Sequence, residues 1–94
     1  MTTSIATVTT DRASTYLQQL CKHFGHKVPV TFTPEAGEIT LPFGSSALRA
    51  EGGVLILSVT GNDTDLSKLE QFIGSHFARF AFRENLSLTW ARNA

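Results

Sequence analysis

The sequence predicts an α+β fold, a two-layer sandwich with two helices on one face of a mainly antiparallel sheet. Three observations carry this. Two segments repeat their apolar residues with the helical period, and they lie far apart in the chain. Between them lie four strand-like runs, three alternating with a period of two and the fourth nearly all apolar. Turn residues separate those runs at short intervals, too short for crossover helices. The expected order is β-α-β-β-β-β-α-β, with four to six strands in the sheet.

Residues 4–9 alternate weakly and end in Thr9-Thr10-Asp11, a short strand running into a helix N-cap. Ala13, Tyr16, Leu17, Leu20, Cys21 and Phe24 then recur at i, i+3, i+4, i+7, i+8 and i+11. That spacing is one face of a helix, and Gly25 is the expected left-handed cap at its end. From Val28 the period falls to two. Val28, Val30 and Phe32 form one run, Pro34-Glu35-Ala36-Gly37 a turn, and Ile39, Leu41 and Phe43 a second run. Pro29 and Pro42 donate no ladder hydrogen bonds and are expected at an edge or a strand end.

Gly44-Ser45-Ser46 reads as a further turn, Ala47–Glu51 as a strand, and Gly52-Gly53 as a hairpin turn. Val54–Thr60 is nearly all apolar and is expected in the middle of the sheet. Asp63 or Thr64 is the candidate N-cap of the second helix, whose core face holds Leu66, Leu69, Ile73, Phe77 and Phe80. Leu86, Leu88 and Trp90 alternate with Ser87 and Thr89 as a last strand. Thr7, Thr31, Thr40, Ser58, Ser87 and Thr89 occupy the other positions of the strands and predict a solvated sheet face.

The totals bound the function. Residues 1–94 carry no repeat and no Pro/Gly/Ser-rich linker, so a single domain is expected. Eight Lys and Arg balance eight Asp and Glu, which excludes a field directed at nucleic acid. The aromatics do not interleave with basic residues on any strand, so no platform for base stacking is expected. One cysteine without a partner fits a reducing compartment. No secretory leader is evident, and Val54-Leu55-Ile56-Leu57 falls far short of the roughly 20 apolar residues that span a membrane. A cytoplasmic protein is expected, with no membrane partner.

The candidate chemistry sits at two helix ends. The first reads Leu20-Cys21-Lys22-His23-Phe24-Gly25-His26-Lys27, the second His76-Phe77-Ala78-Arg79-Phe80-Ala81-Phe82-Arg83-Glu84. Phe72, His76, Arg79 and Arg83 follow i, i+4, i+7 and i+11 and make one stripe beside the core face. A His and two Arg with an aromatic suit a carboxylate or phosphate, because guanidinium binds such anions bidentately. If the helix ends meet, His23 and His26 join the stripe. The candidate ligand-binding residues are therefore His23, His26, Phe72, His76, Arg79 and Arg83. The competing interpretation is a solvated helix flank whose cations favour the negative end of the dipole, one of them paired with Glu84 or Glu51.

A metal is not expected. Cys21 and His23 are about 200° apart around a helix axis and cannot face one ion. No catalytic residue, metal or cofactor is assigned. The phosphate-cradling Gly-rich motif, the nucleophile-elbow serine and the close carboxylate pair are all missing from the sequence.

Tyr16-Leu17-Gln18-Gln19-Leu20-Cys21-Lys22-His23-Phe24 with His26-Lys27, Leu41-Pro42-Phe43-Gly44, and Arg79-Phe80-Ala81-Phe82-Arg83-Glu84 with Trp90 resemble the bacterial domain-of-unknown-function family 2218, nearly end to end. The resemblance implies a small bacterial cytoplasmic protein without established activity. Some relatives are implied to be joined to, or near, siderophore-interacting flavoprotein reductases, which points toward iron handling. The leading expectation is a non-catalytic accessory module for a partner protein or a small anionic ligand. The alternatives are a small metal- or haem-dependent enzyme using the histidines, and a structural homodimer built on a sheet edge, so monomer and homodimer both stay open.

Overall fold

A computed structural model describes residues 1–94 apart from 82, 83, 85, 87 and 94, with the side chain of 93 also left aside. The elements follow the expected order: β1 (Thr2–Thr9), α1 (Ala13–Phe24), β2 (Val30–Phe32), β3 (Ala36–Leu41), β4 (Gly44–Glu51), β5 (Val54–Gly61), α2 (Asp63–Ala81) and β6 (Trp90–Asn93). The six strands form one antiparallel sheet in the order β2-β3-β4-β5-β1-β6. The near-continuous apolar run of β5 is accounted for by its interior place between β4 and β1.

Alternation decides which face is covered. Ala6 and Val8 of β1, Ile39 and Leu41 of β3, Leu48 of β4, and Leu55, Leu57 and Val59 of β5 are buried beneath the helices. α1 contributes Ala13, Tyr16, Leu17, Leu20, Cys21 and Phe24, the six residues of its apolar period. α2 contributes Leu66, Leu69, Ile73, Phe77 and Ala81. Phe80, expected in this core, is half-buried and packs against its margin. The helix layer lies close on the sheet. A methyl group at Gly37 would stand 2.7 Å from the Cys21 sulfur, and one at Gly61 would stand 2.7 Å from Leu69 Cδ1.

The opposite face is open, as the Thr- and Ser-rich positions predict. Thr7, Thr31, Thr40 and Thr89 are exposed and Ser58 half-buried, while Ser87 lies outside the described residues. Register sets an unbroken row across that face: Ala91, Ile5, Ser58, Ala47, Glu38 and Thr31.

Several local expectations are corrected. Gly25 is right-handed (φ −61°) because the chain keeps turning after α1, with Lys27 and Val28 N–H both donating to the Phe24 carbonyl. Arg12, not Asp11, stands at the start of α1, and its N–H donates to Thr10 Oγ1. α2 begins at Asp63, so Asp63 and Asp65 lie in its first turn, where carboxylates complement the dipole. The turn after β2 centres on Thr33, whose hydroxyl accepts from Glu35 and Ala36 N–H. Gly44-Ser45-Ser46 is strand, because β3 and β5 pair with it from both sides. That leaves Pro42-Phe43 as the two-residue hairpin loop and puts Pro42 beyond a strand end. Gly52 and Gly53 have φ of 52° and 78°, the left-handed pair that a tight β4–β5 hairpin requires. β6 begins only at Trp90, where pairing with Ala6 starts. Leu86 and Leu88 instead pack half-buried on the core margin.

Candidate functional site

α1 and α2 run antiparallel, which sets Tyr16 against Phe77 and brings the end of α1 beside the middle of α2. The outer seam of this helix pair is lined with rings. Phe43 on the β3–β4 loop stands 6.1 Å from Phe72, Phe72 4.8 Å from His76, His76 5.1 Å from His23, and His23 5.9 Å from Phe80, centroid to centroid. Phe24 backs the row, 5.4 Å from Phe72 and 4.9 Å from His76. Most of these pairs are tilted or edge-on, the arrangement that the ring quadrupoles favour.

Five of the six residues singled out in the sequence can be placed. His23, Phe72 and His76 form a contiguous group, with Phe72 and His76 half-buried and His23 exposed on its outer side. Arg79 is exposed one turn further along α2 and acts electrostatically on His23. His26 is displaced. The turn after α1 carries it over a separate cleft of about 420 Å³ shared with Cys21, Lys22, Val30 and Phe32. Arg83 lies outside the described residues. Phe43, and Lys68 whose ammonium sits 5.6 Å over the Phe43 ring, complete the row. Phe43 was visible in the sequence only as an aromatic after Pro42, assigned there to a strand.

The polar atoms of the seam are specific. His76 Nδ1 lies 2.7 Å from the Phe72 carbonyl oxygen. A carbonyl only accepts, so Nδ1 carries a proton, and in the neutral tautomer the lone pair is on Nε2. The His23 pKa is lowered, first by partial desolvation of its ring and then by His76, Lys27, Arg79 and His26. Among the described residues, the charged groups acting on His23 are thus all bases. Among the described residues Arg79 has no ion-pair partner. The carboxylates named as its candidate partners are engaged elsewhere, Glu51 with Arg49 and Glu84 with Tyr16 and Thr10. Electropositive side chains beside an aromatic wall are chemically suited to an anion, which charge-assisted hydrogen bonds would hold.

Cys21 is separate from this seam. It is fully buried under α1, and burial pushes its thiol up to about 11. Cys21 and His23 therefore face different environments, as their spacing requires. Among the described residues no three His, Cys, Asp or Glu gather closely enough to hold a metal ion.

Further hollows lie among the described residues. One of about 590 Å³ lies on the open sheet face, bordered by Ile5, Glu38, Ala47, Arg49 and Ile56. Another of about 620 Å³ lies between α2 and the segment leading to β6, bordered by Gly74, Phe77, Leu86, Leu88 and Trp90. Neither gathers bases. Two polar clusters escaped the sequence analysis. Buried Ser4 donates to Glu70 at 2.6 Å, and Arg92 grips the same carboxylate through Nε at 3.2 Å and a terminal nitrogen at 3.3 Å. Tyr16 and Thr10 converge on Glu84. Such long-range pairs leave no periodic trace.

The decisive comparison spans almost the whole chain: residues 5–91 match the family model described as "Uncharacterized protein conserved in bacteria (DUF2218)". The chain belongs to the DUF2218 family. A similar solved structure, the NMR structure of PA4090 from Pseudomonas aeruginosa, is 33% identical with a TM-score of 0.80, covering 97% of this chain and 96% of that one. No curated protein matches the chain. Among the described residues, no helix of this DUF2218 protein is long and apolar enough to cross a membrane.

Proposed function

We propose that this DUF2218 chain is a non-catalytic accessory module that binds a small anionic ligand at the helix seam, through His23, His76 and Arg79 against the ring of Phe72. One observation carries the reading: the two imidazoles stand 5.1 Å apart, and the charged groups acting on His23 among the described residues are all basic. Like charges placed together without a counter-ion cost stability, so a site of this kind gains when an anion arrives. Binding rather than catalysis is favoured because, among the described residues, the hydroxyl nearest the seam, that of Ser75, is committed to the Phe72 carbonyl at 3.2 Å, and no carboxylate or thiol joins the rings. Cys21, with its pKa pushed up to about 11, is buried away from it.

The neighbourhood of siderophore-interacting reductases implied by the family resemblance selects the ligands to try. Citrate and a catecholate siderophore test an iron-linked role, and inorganic phosphate tests simple anion binding. Calorimetric titration of the full chain with each is the experiment. Binding of at least one, weakened about tenfold or more in Arg79→Gln, supports the reading, since a lost charge-assisted contact is worth about 1.5–3 kcal/mol. No binding to any of the three at millimolar concentration overturns it and leaves the carboxylates of a partner protein as the occupant.

A further inference from the structure

The contact between His23 and His76 also determines how the seam must respond to pH, an inference that rests on the anion-binding reading above. His23 projects from α1 and His76 from α2, with ring centroids 5.1 Å apart. The charged groups acting on His23 from its surroundings are His26 and Lys27 in the turn after α1 and His76 and Arg79 on α2. The remaining ring neighbours, Phe24, Phe72 and Phe80, are neutral. Two protonated imidazoles at this separation repel each other, and among the described residues the charged groups acting on His23 are all basic. His76 Nδ1 is committed to the Phe72 carbonyl at 2.7 Å, so the proton that would charge this ring must enter at Nε2.

We propose that the seam is a proton-coupled anion site, in which an anion binds together with protons taken from solvent onto His23 and His76. Without the anion, partial desolvation and the surrounding bases favour the neutral form of His23. An anion lying across Nε2 of His76 and the His23 ring supplies the missing counter-charge, and the imidazoles protonate as it binds. Linkage is reciprocal: protons tighten the anion, and the anion holds the protons. The ligand class is therefore a compact anion of full charge, such as a dianion or an oligocarboxylate, since a neutral ligand gains nothing from the protons.

Sulfate is the probe, because its charge is constant over the range in which histidine titrates. Histidine ring proton signals of the full chain, followed by NMR from about pH 5 to 8 with and without sulfate at constant ionic strength, report the two midpoints directly. Both should move upward when sulfate is present. Sulfate affinity should be about tenfold or more higher at about pH 5.5 than at about pH 7.5, the direction required by net proton uptake. His76→Gln should flatten that dependence, whereas Arg79→Gln should weaken binding at both values. Sulfate that binds equally well at both pH values, with midpoints unmoved, overturns proton coupling and leaves the binding site standing. Absence of sulfate binding throughout the range, with phosphate and citrate also failing to bind, overturns both. The midpoints of the unaltered chain decide the matter even if the His76 variant does not fold.

Discussion

The phenolic hydroxyl of Tyr16 donates to Glu84 at 2.5 Å, and the Thr10 hydroxyl donates to the same carboxylate oxygen at 3.0 Å. One carboxylate beyond the end of α2 thereby holds both the loop that leaves β1 and the first turns of α1. Tyr16 is only 2% exposed, so its hydroxyl depends on this acceptor. Burial, followed by the Glu84 carboxylate, raises the Tyr16 pKa.

Tyr16→Phe should therefore destabilise the protein by about 1–2 kcal/mol, below the full value of a charged hydrogen bond because exposed Glu84 regains water. Urea unfolding with an unchanged m-value is the measurement. A midpoint equal to that of the parent would show that the bond contributes nothing net.

Leu20 is fully buried between α1 and the sheet. Leu20→Ala should cost about 2–5 kcal/mol, the range for a cavity left in a close-packed core. Thermal denaturation indistinguishable from the parent would remove Leu20 from the core.

Much of this architecture could be read from the sequence because it is periodic. The six apolar residues of α1 are its six buried ones, and the interior place of β5 follows from its lack of alternation. What failed was local and set by distant partners. Ser45 and Ser46 look like turn residues, yet Ser46 is buried and donates to the Ser58 carbonyl at 2.9 Å across the ladder. Gly25 looks like a left-handed cap, yet the hydrogen bonds of the following turn hold it right-handed. The meeting of His23 with His76 was expected from concentration of residue types alone. Removal of His26 from that pair was not, because it depends on the path of the chain after α1. The Ser4–Glu70–Arg92 cluster joins β1, α2 and β6 through residues that no spacing rule connects.

That cluster should contribute to acid stability. The Glu70 pKa is lowered, chiefly by the Arg92 hydrogen bond, with help from Ser4 and against a smaller opposing effect of burial. A carboxylate with a depressed folded pKa contributes stability that is present above its unfolded value, about 4.3, and lost as pH falls through the folded value. Unfolding free energy should thus decline on acidification below about pH 4.5, and Glu70→Gln should flatten that decline while lowering stability at pH 7. An acid limb of unchanged slope in the variant would place the titrating group elsewhere.

Gly74 and Gly61 make opposite predictions. A methyl group at Gly74 would meet Leu88 Cδ1 at 3.7 Å and Trp90 Nε1 at 3.8 Å, ordinary contacts on a helix. Gly74→Ala should stabilise by about 0.5–1 kcal/mol through helix propensity. At Gly61 the same group would press Leu69 Cδ1 at 2.7 Å and the Phe43 carbonyl oxygen at 3.1 Å, so Gly61→Ala should destabilise, by about 1–3 kcal/mol for an overpacked core. Melting temperatures that move in the same direction for both variants would contradict this packing.

The anion-binding seam is tested most directly by a residue-resolved NMR titration of the full chain with citrate, phosphate and a catecholate siderophore at slightly acidic pH. The account predicts saturable shifts centred on His23, Phe72, His76 and Arg79, with Phe43 and Lys68 at one end of the row and His26 at most weakly affected. Shifts confined to the Thr-rich open face around Ile5, Ala47 and Ser58, or none at millimolar ligand, would contradict it.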